Sequence, residues 1–149
     1  TRKFAPMIRA LMEESLVLLK PDCLEGHKCG EVLKRFEEAG FAVFGVKMMR
    51  LSDEILREHY AHLTELPFFP EIQGFMQSSP VVAIALRGEN AIVRIREMVG
   101  PTDSTVAEKG TLRGDFGQDK MKNVVHASDS VENGQAELKR FFADGELFG

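Results

Sequence analysis

Residues 81–86 (VVAIAL) constrain the fold more than any other segment, because every side chain in this stretch is apolar. A short apolar run without polar alternation is typical of a strand buried on both faces. Such a strand lies inside a sheet and not at its edge. The sequence therefore predicts a sheet in which this strand is central.

Strand and helix patterns alternate along the rest of the chain. Three more strands are predicted at residues 15–20, 41–49 and 123–126, and Pro21 ends the first of them. Helices are predicted at residues 30–39, from the N-cap Ser52, at 67–76, at 89–99, and from a capping box formed by Asp129 and Glu132. The long loop at residues 100–121 exceeds the usual connection length, and such loops are often functional.

This order of elements matches the split βαβ, ferredoxin-like arrangement, with an antiparallel sheet and helices on one face. The predicted fold class is α+β: a ferredoxin-like split βαβ sandwich, a four-stranded antiparallel sheet with helices packed around it. We expect residues 15–149 to form the domain. Residues 1–14 precede the periodic pattern and are expected to be an N-terminal extension.

Charge and cysteine content restrict the partners and the compartment. The chain has 19 Lys and Arg against 23 Asp and Glu, a net charge of -4, which argues against duplex nucleic acid but allows a mononucleotide. The two cysteines, Cys23 and Cys29, suggest no disulfide framework, so a reducing, cytoplasmic location is expected. The longest apolar run, residues 80–86, is too short to span a membrane.

No glycine-rich phosphate motif of the GxxxxGK[ST] or GxGxxG type occurs in the chain, so phosphate binding would depend on isolated side chains. His126 ends a predicted strand, and neutral imidazole is a competent nucleophile at physiological pH. Glu137, on the following helix, is a candidate carboxylate to orient its ring. A hydrogen-bonded structural histidine fits the local sequence equally well.

Three cations and an aromatic pair are further candidates for a nucleotide site. Lys20 follows a buried strand, while Arg96 and Arg113 offer forked donors that match phosphate oxygens. Taken alone, each is more commonly a solvated or ion-paired surface residue. Phe68 offers a face for a base, and its neighbour Phe69 is expected in the core.

Two groups of side chains contain metal-ligating residue types, but neither matches a known metal-binding pattern. Cys23, His27 and Cys29 supply three soft ligands where a structural zinc site needs four. His59 and His62 share a helix face without an HExxH motif, and a solvated pair is the better interpretation. No protein metal ligand is predicted.

The chain resembles the nucleoside diphosphate kinase family over almost its whole length. The carrying segments are residues 16–22 (LVLLKPD), 59–69 (HYAHLTELPFF), 80–92 (PVVAIALRGENAI), 110–117 (GTLRGDFG) and 123–133 (NVVHASDSVEN). The combination of TxRGDF with NxxHxSDS is the most specific of these. Lys120 departs from the family, which often has a small aliphatic residue there, opposite the base-stacking side chain.

The resemblance implies a ping-pong transfer of the γ-phosphate of a nucleoside triphosphate to a nucleoside diphosphate through phosphorylated His126. It implies that Glu137 holds the imidazole ring and that Ser128 is a hydrogen-bonding neighbour. The nucleotide-binding residues that it implies are Lys20, Tyr60, Phe68, Arg96, Thr102, Arg113 and Asn123. It also implies Mg²⁺ held through the nucleotide phosphates, and a homo-oligomer, either tetramer or hexamer.

Two other functions remain open at this point. A catalytically silent member of the family would bind without turnover, although the intact candidate residues argue against it. A ferredoxin-like RNA-binding domain would need a basic sheet face with exposed aromatic side chains, which the acidic balance and aliphatic strands disfavour.

Overall fold

The sheet is antiparallel throughout and has the strand order β2-β3-β1-β4. The computed structural model describes residues 12–149. Its strands are β1 (Met12–Leu19), β2 (Ala42–Met49), β3 (Val81–Glu89) and β4 (Val125–Ala127). β3 is an inner strand, as its apolar run predicted, and the ferredoxin-like α+β fold is confirmed.

The predicted N-terminal boundary differs from the observed strand. β1 begins at Met12, before the predicted start at Ser15, so the expected extension of residues 1–14 ends inside the strand. The polar pair Glu13 and Glu14 concealed this start, because the apolar run begins only after it. The remainder of that extension, residues 1–11, lies outside the described residues.

Seven α-helices accompany the sheet in the described part of the chain, besides two 3-10 helices at Ala61–Leu63 and Ser104–Val106. The α-helices are α1 (Pro21–Glu25), α2 (Cys29–Glu38), α3 (Asp53–His59), α4 (Phe69–Met76), α5 (Ala91–Val99), α6 (Leu112–Phe116) and α7 (Val131–Phe141). Among residues 12–149, no helix is long enough and apolar enough to cross a bilayer.

The helices cover both faces of the sheet, so the expectation of helices on one face is wrong. One core contains Val17 and Leu19 with side chains of α2 and α5, and the other contains Leu16 and Leu18 with side chains of α3, α4 and α7. Successive residues of a strand point to opposite faces, and those of β1 are apolar on both. A sheet of this kind requires a layer on each side.

Local capping signals explain where several helices begin. Ser52 caps α3 as predicted, since its side chain accepts a hydrogen bond from the Ile55 amide. The predicted capping box at Asp129 is wrong, because Ser130 caps α7 by accepting from the Asn133 amide at 3.0 Å. Asp129 instead accepts from the Asn133 side chain.

Two short helices were not predicted. Pro21 ends β1 and at the same time starts α1, a position where its missing N–H costs nothing. Helix α6 lies inside the predicted long loop and is capped by Thr111, whose hydroxyl accepts from the Gly114 amide. A side chain at Gly114 would meet the Glu108 carbonyl, so this compact turn requires glycine.

Gly134 allows α7 to lie directly on β1. A Cβ at this position would stand 2.7 Å from the Glu14 carbonyl oxygen, closer than side chains tolerate. Gly74 is its natural counterpart, because it also lies within a helix but has open space around it. The two glycines separate the effect of helix propensity from the effect of close packing.

Substituting each glycine with alanine is expected to change stability in opposite directions. Gly134→Ala should lower the free energy of unfolding by about 1–3 kcal/mol, because α7 must move away from the sheet. Gly74→Ala should raise it by about 0.5–1 kcal/mol through helix propensity. Urea unfolding of both variants measures the two shifts, and equal shifts would contradict the packing argument.

Candidate active site

His126 lies on β4 and faces a cavity of about 840 Å³. β4 pairs with β1, so that His126 lies opposite Leu18. Nine of the ten side chains predicted for the site line this one cavity: Lys20, Tyr60, Phe68, Arg96, Thr102, Arg113, Asn123, His126 and Glu137. The tenth, Ser128, is fully buried behind Glu137.

Glu137 fixes the orientation of the His126 ring. Nε2 of His126 lies 3.1 Å from both carboxylate oxygens of Glu137, and Ser128 Oγ donates to Oε1 at 2.6 Å. Burial raises the pKa of Glu137, but the hydrogen bonds from His126 and Ser128 outweigh it and hold the pKa below its ordinary value. An ionised carboxylate only accepts, so His126 carries its proton on Nε2 and its lone pair on Nδ1.

His59 is a member of the site that the sequence analysis missed. It was predicted to be part of a solvated pair with His62, yet its side chain is only 2% exposed. Burial is the main reason that the pKa of His59 falls to about 3, with His126 adding to it, so the ring is neutral. Its position on the apolar side of α3, next to Ile55 and Leu56, was the signal that could have identified it.

The neutral His59 ring supports His126 from the side. The two rings meet edge to face with their centroids 4.5 Å apart. Nη1 of Arg140 lies 3.0 Å from His59 Nδ1, and a guanidinium can only donate, so His59 accepts there and carries its proton on Nε2. The tautomer of His59 is thereby fixed as well.

One group of ligating side chains in the described residues is close enough to share a metal ion. Its members, His59, His126 and Glu137, have ligand atoms within 4.8 Å of one another. However, Arg140 occupies the lone pair of His59 Nδ1 and brings a positive charge next to it. The group therefore serves as a hydrogen-bonded support and does not fit a resident cation.

Lys20 is held at the end of β1 with its ammonium directed by two acceptors. Its Nζ donates to the Met121 carbonyl at 2.6 Å and to Asn123 Oδ1 at 2.7 Å, which leaves one N–H for a ligand. Burial lowers the pKa of Lys20 to about 8. Asn123 is fixed in turn, because its amide donates to the carbonyls of Thr102 and Lys120.

Arg113 joins the long loop to β4 while it lines the cavity. It donates to the backbone carbonyls of Asn123, Val125 and Gly100 at 3.3, 2.7 and 3.0 Å. Burial and the nearby Arg96 lower the pKa of Arg113 to about 10, which leaves it charged at neutral pH. Three of its five N–H groups are used in this way, so two remain for an anion.

Aromatic and aliphatic side chains also line the cavity. Phe68 lines it and is 48% exposed, whereas Phe69 is buried in the core as the sequence predicted. Lys120 and Leu63 line the same cavity. Tyr60 also lines the cavity and is partly buried. Burial raises the pKa of its hydroxyl to about 12, so the phenol stays protonated and can donate.

Comparisons with known proteins agree on one family. The family model for nucleoside diphosphate kinase matches residues 13–147. The nucleoside diphosphate kinase of Parabacteroides distasonis is 47% identical over 92% of this chain and 90% of its own length. The one from Rhodopirellula baltica is 45% identical over 91% of this chain and 90% of its own length.

Solved structures of the same family have the same fold. The nucleoside diphosphate kinase of Aquifex aeolicus superimposes with a TM-score of 0.87 at 45% identity, covering 91% of this chain and 99% of that one. The enzyme of Halobacterium salinarum, solved in complex with CDP, gives a TM-score of 0.88 at 36% identity, covering 92% and 91%. The chain belongs to the nucleoside diphosphate kinase family of phosphotransferases.

Proposed function

We propose that this nucleoside diphosphate kinase works by a ping-pong mechanism through a phosphorylated His126. Nδ1 attacks the γ-phosphorus of a nucleoside triphosphate in line. The bond between the γ-phosphorus and the oxygen that bridges the β- and γ-phosphates breaks, and the nucleoside diphosphate leaves with that oxygen. A terminal phosphate oxygen of a second nucleoside diphosphate then takes the phosphoryl group from Nδ1. The supporting observation is the hydrogen bond from Nε2 to Glu137, which leaves the lone pair on Nδ1.

The cations of the cavity would stabilise the transferring group. Phosphoryl transfer spreads negative charge over three oxygens, so catalysis depends on positioning and charge neutralisation. Lys20, Arg96 and Arg113 line the same cavity as His126 and retain N–H groups for phosphate oxygens. Thr102, Asn123 and Tyr60 would add neutral hydrogen bonds to the phosphates and the sugar.

Phe68 would stack on the base of the nucleotide. Every base has a π-face, so stacking tolerates different bases and implies broad nucleotide specificity. The aliphatic part of Lys120, which lines the same cavity, can cover the other side of a base. Ser128 would act on the reaction only through Glu137, to which it donates.

Mg²⁺ would enter the site with the nucleotide. Lys20, Arg96 and Arg113 line the cavity together with His126, while Glu137 is engaged by His126 and Ser128. This set of donors fits an ion that is held by phosphate oxygens and needs no protein ligand. The ion supplies further neutralisation of the triphosphate charge.

The assembly and the compartment are further parts of the proposal. We propose a homo-oligomer, tetramer or hexamer, because Val46 and Met48 on the outer strand β2 are 51% and 66% exposed. A cytoplasmic location is supported by the two thiols, Cys23 and Cys29, which are both free.

The phosphohistidine can be detected directly by intact mass. After brief mixing with Mg-ATP, the protein should gain the mass of one phosphoryl group, and acid should remove it because phosphohistidine is acid-labile. His126→Gln should gain nothing. His27→Asn is the control, since His27 is exposed, lies outside the cavity, and has a left-handed φ that asparagine tolerates. No gain of mass in the folded wild type would contradict the proposal.

The pH dependence of kcat/KM should follow the titration of the Lys20 ammonium. Its pKa of about 8 means that the ammonium is charged below this pH and loses its charge as the pH rises through it. We expect the ratio of kcat/KM between the wild type and Lys20→Met to fall toward one between about pH 7 and about pH 9. The ratio cancels titrations that both proteins share, and a constant ratio would contradict the assignment.

A further inference from the structure

Val124, two residues before His126, has an unusual backbone conformation. Three non-glycine residues of the described chain have a positive φ: His27, Asn90 and Val124. Histidine and asparagine adopt this left-handed region more readily than most residues, but a β-branched residue at φ 63° is a genuine outlier. Strain of this kind persists only where the surroundings impose it.

The segment from the end of β1 into α1 holds Val124 by hydrogen bonds to both its carbonyl and its N–H group. The carbonyl of Val124 accepts from the Lys20 amide at 2.9 Å, and its N–H donates to Asp22 Oδ2 at 3.0 Å. Val124 is 2% exposed, and its side chain belongs to the core cluster that also contains Val125 and Ala127. Asp22 is the one side chain that holds the Val124 N–H.

The segment around Val124 carries the groups on which the proposed transfer depends. Asn123 accepts from Lys20 through its side chain and from Arg113 through its carbonyl. Val125 also accepts from Arg113, and His126 follows it. A change of φ at Val124 would therefore turn Asn123 and His126 relative to each other.

We propose that Asp22 is a positioning residue, which holds Val124 in its left-handed conformation and thereby aims Asn123 and His126 at the same phosphate. The proposal rests on the proposed function, since it concerns the geometry in which His126 is phosphorylated. Asp22 itself need not touch the nucleotide. Its effect passes through one hydrogen bond to the backbone.

Burial of Asp22 agrees with this role. Burial raises the pKa of its carboxyl group, and the hydrogen bond from the Val124 amide is the largest of the effects that lower it. The negative charge also lies near Lys20 and stabilises its ammonium. A test must therefore separate the loss of the acceptor from the loss of the charge.

Four variants make this separation: Asp22→Ala, Asp22→Asn, Val124→Gly and the double variant Asp22→Ala/Val124→Gly. Asn keeps an oxygen that accepts the Val124 N–H but removes the charge. Glycine adopts a positive φ at no steric cost, so it no longer needs to be held. The measurement is the rate of His126 phosphorylation at saturating Mg-ATP, followed by intact mass below the melting temperature of each variant. The pH is kept well below the Lys20 pKa of about 8, so that its ammonium stays charged in every variant.

The expected pattern is specific to positioning. Asp22→Ala should slow phosphorylation about tenfold or more, in line with the strain of a left-handed β-branched residue, while Asp22→Asn stays within about threefold of the wild type. The double variant Asp22→Ala/Val124→Gly should be slower than Val124→Gly by less than about threefold, because glycine removes the strain. An effect of Asp22→Ala that is equal in both backgrounds would overturn the proposal, and so would an Asp22→Asn variant as slow as Asp22→Ala.

Hydrogen exchange of the Val124 amide provides a readout without turnover. The amide should be protected in the wild type and in Asp22→Asn, and should exchange faster in Asp22→Ala. Unchanged protection in Asp22→Ala would overturn the hold on Val124. If the wild type takes up no phosphate while the three proteins show this exchange pattern, the proposed function is contradicted, and the role of Asp22 in holding Val124 is still supported.

Discussion

The pairing of β4 with β1 is the constraint on which the rest of the site depends. It joins residues more than one hundred positions apart, with Leu18 opposite His126 and the Lys20 amide bonded to the Val124 carbonyl. At the other end, the Ser128 amide donates to the Leu16 carbonyl and the Ser128 hydroxyl accepts from the Leu16 amide. The same few bonds therefore align His126, Lys20 and the Ser128 hydroxyl that donates to Glu137.

Charge is distributed unevenly across this framework. Glu137 is the buried anion on one side of His126, while Lys20, Arg96 and Arg113 line the cavity. Arg96 lowers the pKa of Arg113, and Arg113 lowers the pKa of Lys20, so the free cavity contains mutual repulsion. A polyanionic ligand would relieve it. Hydrogen bonds from Lys20 and Arg113 to backbone carbonyls hold these charges in place, which is the arrangement that favours phosphoryl transfer.

Apolar periodicity allowed the main elements to be predicted, because burial imposes it directly on the sequence. It did not reveal α6, whose place is fixed by contacts such as those of Arg113 with three distant carbonyls. It placed His59 on the apolar side of α3 but did not reveal that its ring meets His126 and Arg140, since a helix face shows which residues point inward but not what they meet. The roles assigned to the cavity residues came from resemblance and remain proposals, because a single lysine or arginine has no local pattern that distinguishes a ligand from a surface charge.

Val124 illustrates how stability and geometry compete within one residue. Glycine would adopt the left-handed conformation freely, but it would leave a cavity in the core and loosen the segment that carries His126. Valine fills the core and costs about 1–3 kcal/mol in backbone strain. The hydrogen bonds to Lys20 and Asp22 offset part of that cost, and they do so from the β1–α1 junction that also presents the Lys20 ammonium. A stiff residue held from both sides fixes the direction of the following strand more firmly than a flexible one, so the strain contributes to the precision of the site.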